Sequence, residues 1–397
     1  MSQAPWFGYD ELGVKMFGCP TKSACGGAIG AFLLLAGCGA RGPLAQPSLL
    51  PYTPLMQAPA KTPGPLSIWF LGSSTIVLRD GDTTILTDGF FTRPSSLPLV
   101  ASALRSDPDR VSEGLRLGGF DEPPRAQALF VAHAHHDHVL DSAAVAERTG
   151  ATLIGDPSSA NVAAGHRPEL ANICVAAHGD RFAIGNFTVT VFVTPHSAGD
   201  LPFIRGEVRN SRAQKRRLAD FKTHTSHAYH VEHKGKDGRT RRILIVPSAN
   251  FNWSSFGDAK AEVVFLAVAK LHKLSVEEAQ EYWRRAVTET GARLVIPIHW
   301  DDIRDGLADD RGNPRDFEAI PYLQDDFRHA MAVILPLALS QKVEVRIPAR
   351  AGPIRVSPIG AEDKPNPAWW PPGRATDATD DPVKVAPLKL SDCRKKA

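Results

Sequence analysis

Short apolar runs separated by polar turns occupy most of the chain between residues 66 and 350. Runs of about four to eight residues rich in Val, Ile, Leu and Phe are typical of strands. They predict strands at residues 66–71, 75–78, 83–87, 128–132, 151–154, 187–194, 242–246 and 293–298. The sequence Asp80-Gly81-Asp82 predicts a hairpin turn between the second and third of these strands.

Helical segments alternate with the strands. Apolar spacing predicts a helix over 141–149 that ends at Gly150, since glycine readily adopts the left-handed conformation that closes helices. Ser275 and Glu278 form a capping-box pattern, which predicts a helix from there to about Thr290. Strands alternating with helices predict a layered α/β domain over residues 66–350.

The N-terminal residues have the pattern of a secretion signal. Residues 24–37 are apolar and small, with Lys15 and Lys22 before them. This stretch is shorter than the about 20 residues that a membrane-spanning helix needs. Its last residues, Leu35-Ala36-Gly37-Cys38, resemble the bacterial lipobox. The resemblance implies a lipoprotein signal peptide at 1–37, lipidation of Cys38, and a place on the periplasmic side of the bacterial cell envelope.

Two proline-rich segments flank the predicted domain. Seven prolines between residues 43 and 65 disfavour regular structure and predict an extended tether over 38–65. Residues 351–397 are rich in Pro, Asp and Lys and predict a strand or two at most, then a mobile tail.

Composition excludes several classes of protein. The balance of 46 Lys and Arg against 43 Asp and Glu is too even for nucleic-acid binding driven by overall charge. Five widely separated cysteines predict neither a disulfide-stapled scaffold nor a Cys-x-x-Cys zinc site. Hydrophobic and charged fractions of 43% and 22% are typical of a soluble globular chain. The informative residues are the 14 histidines, because several of them cluster.

One cluster directly follows the predicted strand at 128–132. Within residues 133–138 it contains His133, His135, Asp137 and His138. Imidazole and carboxylate are the ligands that zinc and similar divalent ions prefer. His133 and His135 share one side of an extended segment, so they can bind one ion, while Asp137 and His138 can reach a second. The spacing therefore predicts a metal site.

This cluster resembles the signature of the metallo-β-lactamase fold superfamily. Other segments resemble the superfamily in the same order along the chain, namely residues 71–74, 87–89, 194–197 and 297–300. The resemblance covers residues 66–345, and the His299-Trp300 ending is nearest to lactonase-like and N-acyl-phosphatidylethanolamine phospholipase D-like hydrolases. It implies an α/β fold of the αββα sandwich type.

The resemblance also implies the ligands of two metal ions. The first ion would be held by His133, His135 and His196, and the second by Asp137, His138 and His299. Zinc is the expected metal, and Mn²⁺ or Fe²⁺ would suit the same ligands.

The chain departs from the superfamily at one position. A metal-bridging Asp usually follows the strand that corresponds to 242–246, but this chain has Ser248 and Asn250 there and no carboxylate. In one interpretation, the two-metal centre persists with hydroxide as its only bridge, as in zinc β-lactamases that also lack this Asp. In the other, the second ion is weakly held or absent, and Ser248 or Asn250 orients water. The six complete ligands favour the first.

Other polar residues are candidates for supporting roles. Asp137 is expected to orient the nucleophile and receive its proton, and Asp88 either accepts a hydrogen bond from a ligand histidine or caps a turn. Residues 224–233 alternate as a strand, on which His227 could line the substrate pocket and the other histidines lie at the surface. A basic run over 205–217 is either a solvated loop or an electropositive rim for an anionic substrate.

These features predict a metal-dependent hydrolase that uses a metal-bound hydroxide on an ester, lactone or phosphodiester bond. The substrate would be a small or lipid-like molecule, and the lipid anchor would be the sole contact with the membrane. Two alternatives stay open. One is a β-lactam-type amide hydrolase that lacks the bridging Asp, and the other is a non-catalytic metal-binding scaffold of the envelope.

Overall fold

The computed structural model describes residues 45–60, 64–95, 102–170, 172–211, 216–250, 256–322, 324–350, 352–354 and 387–393. The predicted signal peptide and Cys38 lie outside the described residues. Within these ranges, no helix is both long enough and apolar enough to cross a membrane.

Sixteen strands and six helices are named here in chain order. The strands are β1 (Met56–Gln57), β2 (Ser67–Phe70), β3 (Ile76–Arg79), β4 (Thr84–Thr87), β5 (Ala128–Phe130), β6 (Thr152–Gly155), β7 (Ile173–Val175), β8 (Arg181–Ile184), β9 (Phe187–Pro195), β10 (Thr225–Lys234), β11 (Thr240–Val246), β12 (Val263–Ala267), β13 (Leu294–Ile298), β14 (Glu344–Val345), β15 (Ile347–Pro348) and β16 (Leu388–Lys389). The helices are α1 (Pro108–Leu117), α2 (His136–Val139), α3 (Ser142–Thr149), α4 (Pro157–His166), α5 (Val276–Trp283) and α6 (Phe327–Gln341).

Two sheets form the centre of the domain. The first has six strands in the order β2-β3-β4-β5-β6-β7, and the second has eight in the order β14-β13-β12-β11-β10-β9-β8-β16. Strands β4 to β7 run parallel, as do β11 to β14. In both sets, therefore, successive strands deliver the residues that follow them to one edge of their sheet.

Alternation along the strands builds a layered core. On β2, Ile68 and Phe70 pack into an apolar cluster shared with the eight-stranded sheet, whereas Trp69 packs into a second cluster with α1, α3 and α4. Helices α5 and α6 contribute Tyr282, Trp283 and Met331 to the first cluster. Each sheet therefore packs against the other sheet on one face and against helices on the opposite face. This arrangement confirms the predicted αββα sandwich.

Most predicted elements are found within two residues of their expected bounds. The hairpin turn at 80–82 joins the antiparallel strands β3 and β4, and Gly150 closes α3 with a φ of 72°. Ser275 caps α5 through the predicted capping box, and a π-helical turn at Arg284–Thr288 extends that helix. Strands β7, β8 and β12 were not predicted.

Residues 45–60 differ from the extended tether predicted for this segment. Leu50–Leu55 form a 3-10 helix, and β1 pairs in parallel with β15. The ring of Tyr52 packs edge-on against Phe327 of α6, with 5.3 Å between centroids. The prolines disfavour an α-helix, but a short 3-10 turn accepts them, and the apolar residues between them then bind the domain.

The sequence predicted a strand or two at most and then a mobile tail for residues 351–397, and the structure describes one strand there, close to the end of the chain. β16 pairs in parallel with β8 at the edge of the larger sheet. After a short 3-10 turn at Leu390–Asp392, Cys393 forms a disulfide with Cys174 of β7, across a sequence separation of 219 residues. Residues 387–393 are thus fixed to the domain by a strand pairing and by a disulfide that the sequence analysis did not identify.

Candidate metal centre

The predicted ligands lie where strands end. His133 and His135 follow β5, His196 directly follows β9, and His299 directly follows β13. Asp137 and His138 lie on the single turn of α2. The topology therefore brings all six residues to one edge of the two sheets.

The first group consists of His133, His135 and His196. One nitrogen of each ring lies within 4.8 Å of the corresponding nitrogens of the other two. The second group consists of Asp137, His138 and His299 and meets the same distance limit. The structure thus divides the six residues into the two sets that the resemblance implied.

Hydrogen bonds leave one ring nitrogen of each histidine in the first group free for a metal. His135 donates from Nε2 to the carbonyl oxygen of Ile204 at 3.1 Å. His196 Nδ1 lies 2.7 Å from Oδ2 of Asp200, and His133 Nδ1 lies 3.2 Å from Oγ of Ser226. Within the part of the chain that the structure describes, Nε2 of His133 is buried without a hydrogen-bond partner. A buried nitrogen in this state fits a metal ligand, because leaving it unpaired is otherwise costly.

The three residues of the second group also lie close together. Nε2 of His138 and Nε2 of His299 lie 3.1 Å apart, and Oδ2 of Asp137 is 3.2 Å from Nε2 of His299. Burial alone would raise the pKa of the Asp137 carboxyl, but His138 and His299 hold that pKa well below its usual range. Asp137 is therefore ionised, as a metal ligand or proton acceptor must be.

Asp88 acts as the acceptor that the sequence suggested. Its Oδ2 accepts hydrogen bonds from Nδ1 of His138 at 2.9 Å and from Oγ of Ser74 at 2.5 Å. Its Oδ1 accepts from the backbone N–H of Ala132 at 2.8 Å. The carboxylate is fully buried, so it fixes the ring orientation of His138 and directs Nε2 toward the second group.

Backbone strain concentrates around the centre. Ser73, Asp88 and His299 have φ values of 50°, 55° and 59°, in the left-handed region that residues other than glycine rarely adopt. The N–H of His299 donates to the carbonyl oxygen of Ser73 at 2.8 Å, which ties the two strained segments together. Such strain persists where the surrounding structure determines the conformation, and it is common at functional sites.

Ser248 and Asn250 hold the segment that contains His196. Oγ of Ser248 accepts from the N–H of Ser197 at 2.8 Å, and Nδ2 of Asn250 donates to the carbonyl oxygen of His196 at 2.5 Å. Ser248 also lines the cavity beside the ligands. Both residues thus lie at the position of the missing bridging Asp and support a ligand through its backbone.

His227 does not line the cavity as the sequence suggested. Its side chain is 2% exposed, and its N–H donates to the carbonyl oxygen of Ala132 beneath the ligand segment. His230 and His233, expected at the surface, are also buried: His230 lies 2.7 Å from the carbonyl oxygen of Lys260, and His233 lies 3.2 Å from Asp80. β10 is covered on both faces within the sandwich, so its alternation does not separate buried from exposed residues.

The basic run at 205–217 does not form a rim in the residues that the structure describes. Arg205 donates to the carbonyl oxygen of Asp200, Arg209 pairs with Glu207, and Arg216 is buried against Asn161. None of these arginines lines the cavity.

Two further carboxylates support the centre: sequence reasoning missed Asp200, and it left open whether Asp301 supports the centre or starts a turn. Asp200 binds Nδ1 of His196, and its other oxygen lies 2.5 Å from Nζ of Lys270. Asp301, which directly follows the His299-Trp300 pair, accepts from the N–H of Ser73 at 2.7 Å and pairs with Arg93. The position of Asp200, four residues after His196, is the one signal in the sequence that could have indicated its role.

A cavity of about 400 Å³ opens onto the ligands. Its base includes His135, Asp137, His196 and His299. A substrate in this cavity would contact both ligand groups, which is the arrangement that metal-assisted hydrolysis requires.

No family model matches the chain. Curated relatives named UPF0173 metal-dependent hydrolase do match part of it. The relative from Anaeromyxobacter dehalogenans strain 2CP-C is 33% identical over 135 residues, which are 33% of this chain and 42% of the relative. The matched part spans about two fifths of the length of the first such relatives.

Solved structures are similar at low sequence identity. Igni18, described as a novel metallo hydrolase from Ignicoccus hospitalis KIN4/I, matches with a TM-score of 0.42 and 12% identity, covering 73% of this chain and 97% of that one. The metallo-beta-lactamase fold protein YhfI from Bacillus subtilis matches with a TM-score of 0.40 and 14% identity, covering 73% and 98%. About a third of the chain is thus similar in sequence to the UPF0173 metal-dependent hydrolases.

Proposed function

We propose that the protein is a hydrolase that depends on two zinc ions and acts on an ester, lactone or phosphodiester bond. The observation that supports it most is the pair of ligand groups, four residues of which, His135, His196, Asp137 and His299, line one cavity. The names of the sequence relatives agree with a metal-dependent hydrolase.

The metal ions and the carboxylates would have different roles in hydrolysis. When bound, zinc ions lower the pKa of a coordinated water and polarise the substrate oxygen. Asp137 is ionised and lies on the cavity surface, so its Oδ1 or Oδ2 can orient the attacking water and take its proton. Asp88 and Asp200 hold the rings of His138 and His196 in the orientation that presents Nε2.

The direct test is the zinc content per chain, measured by elemental analysis on protein that begins after Cys38. We expect two zinc ions in the wild type and about one in each of His133→Ala and His138→Ala, since each variant removes one ligand of a three-residue group. His224→Ala changes an exposed histidine outside both groups and should keep both ions. Less than half an ion in the wild type, unchanged by either ligand substitution, would contradict the metal centre and the scaffold alternative together.

Turnover separates the hydrolase from a scaffold. With 4-nitrophenyl esters, a lactone and bis(4-nitrophenyl) phosphate as substrates, hydrolysis should stop on chelation and return with added zinc. Two bound ions without hydrolysis of any of these bonds would favour the non-catalytic scaffold. Hydrolysis of a β-lactam alone would favour the amide hydrolase.

The place of action is part of the same proposal. The Cys174–Cys393 disulfide supports a compartment outside the cytoplasm, because structural disulfides persist in oxidising environments. The lipobox at 35–38 adds a lipid anchor at Cys38. A fatty-acid analogue should label the wild type and should not label Cys38→Ala. Equal labelling of both proteins would contradict lipidation at Cys38.

A further inference from the structure

Residues of two kinds line the cavity beside the ligands. The apolar ones include Leu201, Ile204, Leu218 and Phe221. Two lysines also line it: Lys273 at the end of the 3-10 turn Leu271–Lys273, and Lys270 directly before that turn. A substrate that fills the cavity can therefore contact both apolar side chains and lysines.

Both lysines line the cavity, although Lys273 ends the 3-10 turn and Lys270 lies just outside it. Lys270 has a left-handed backbone with φ of 63°, and its Nζ lies 2.5 Å from Oδ1 of Asp200. The charge of Lys270 is thus compensated by the carboxylate that also holds His196.

Lys273 has a different environment. Its side chain is exposed, and its stem lies over Gly199, where an added Cβ would come within 3.3 Å of Cγ of Lys273. Among the residues that the structure describes, no carboxylate forms an ion pair with Lys273. Asp325, the other carboxylate on this side, is 4% exposed and already accepts from His272 and from the N–H groups of Lys270 and Asp326.

We propose that Lys273 binds an anionic group of the substrate, and that the substrate is an amphipathic anion whose apolar part lies against the side formed by Leu201, Ile204, Leu218 and Phe221. An ammonium that has no carboxylate partner and lines a partly apolar cavity can form a charge-assisted contact with the anionic group of a ligand held there. The substrate role rests on the proposed hydrolytic function, but the binding site itself does not.

The test uses two fluorescent probes that differ by one charged group. 8-Anilino-1-naphthalenesulfonate has a sulfonate, and N-phenyl-1-naphthylamine is the same aromatic framework without it. Both are titrated into the zinc-loaded full chain, its Lys273→Met variant and its Lys234→Met variant. Lys234 is an exposed lysine at the end of β10 and does not line the cavity.

We expect Lys273→Met to weaken binding of the sulfonate probe roughly five- to tenfold, the size of one charge contact, and to leave the neutral probe unchanged. Lys273→Arg should retain most of the affinity, and Lys234→Met should change neither. Salt should weaken binding of the sulfonate probe to the wild type more than to Lys273→Met. An unchanged affinity of Lys273→Met for the sulfonate probe, or an equal loss for both probes, would overturn the proposal.

A second pair of variants locates the probes. Leu201 is 55% exposed on the apolar side, and Val276 is 60% exposed on α5, outside the cavity. Leu201→Ser should weaken the binding of both probes, and Val276→Ser should weaken the binding of neither. The reverse result would show that the probes bind elsewhere and would overturn the proposed site. Because no turnover is measured, a chain that binds the probes as expected but hydrolyses nothing would contradict the proposed function and leave the anion site standing.

Discussion

Arg93 and Asp301 form an ion pair of 2.8 Å in which both side chains are fully buried, directly beneath the segments that hold the second ligand group. The same carboxylate accepts from the N–H of Ser73, whose carbonyl oxygen receives the N–H of His299. Gly72 makes this contact possible, since a Cβ there would lie 2.1 Å from Arg93 and 2.2 Å from Asp301.

Removing one partner of this pair should be strongly destabilising. Asp301→Asn leaves the Arg93 guanidinium buried without a counter-charge, so we expect the free energy of unfolding to fall by about 3–5 kcal/mol. Urea unfolding of the zinc-loaded protein measures it. Glu147→Gln breaks an exposed ion pair with Arg167 and serves as the control, with no measurable change expected. An equally small effect of Asp301→Asn would show that the pair does not stabilise the fold.

The missing bridging carboxylate can be restored. Oγ of Ser248 lies at the cavity and already accepts from Ser197, so an Asp there could keep that hydrogen bond and offer a second oxygen to the metals. We expect Ser248→Asp to slow the loss of zinc to a chelator by about tenfold, because changes to the groups that surround a bound metal alter its affinity by about this factor or more.

Ser248→Ala is the matched control for this substitution. It removes the same hydrogen bond without adding a carboxylate, so it should release zinc at least as fast as the wild type. Loss of zinc from Ser248→Asp at the rate seen for Ser248→Ala, with circular dichroism unchanged, would show that position 248 does not face the metals.

The sequence predicts the ligands better than it predicts what surrounds them. His133, His135, Asp137 and His138 are close in sequence, so local pattern locates them, whereas His196 and His299 each follow an apolar strand and were assigned through the family resemblance. The Cys174–Cys393 pairing spans 219 residues and depends on where β16 docks, which no local pattern encodes.

Burial is the second property that local pattern failed to predict. The sequence of β10 alternates as a strand should, yet the six consecutive residues 226–231 are all buried. The reason is that the strand is central in its sheet and covered on both faces. A histidine such as His227 therefore lies inside the sandwich where the pattern allowed a pocket residue. Such burial depends on neighbouring strands and helices distant in sequence.

The disulfide should contribute measurably to stability. Closing a loop of more than two hundred residues restricts the unfolded chain, and bonds of this kind contribute about 2–5 kcal/mol. We expect a reductant to lower the urea midpoint of the wild type and to have no effect on Cys393→Ser, which should unfold at the lower midpoint already. Alkylation of both cysteines in the folded, unreduced protein would contradict the bond.

His166 should make stability depend on pH independently of the metal centre. Burial, and then the nearby Arg216, lower the pKa of its ring from 6.5 to about 4 in the folded protein. The unfolded chain therefore binds the proton more readily, so stability is fully present above about pH 6.5 and is lost as the pH falls toward the folded value.

Between about pH 7.5 and about pH 5.5, this difference amounts to about 1 kcal/mol for one histidine. The zinc-free wild type should lose that much more stability over this interval than zinc-free His166→Gln, because Gln can keep a hydrogen bond to the carbonyl oxygen of Leu140 but does not titrate. Using the zinc-free form of both chains removes the contribution of metal release. Parallel losses in the two chains would show that His166 has the same pKa folded and unfolded, and would place the pH dependence in the ligand histidines instead.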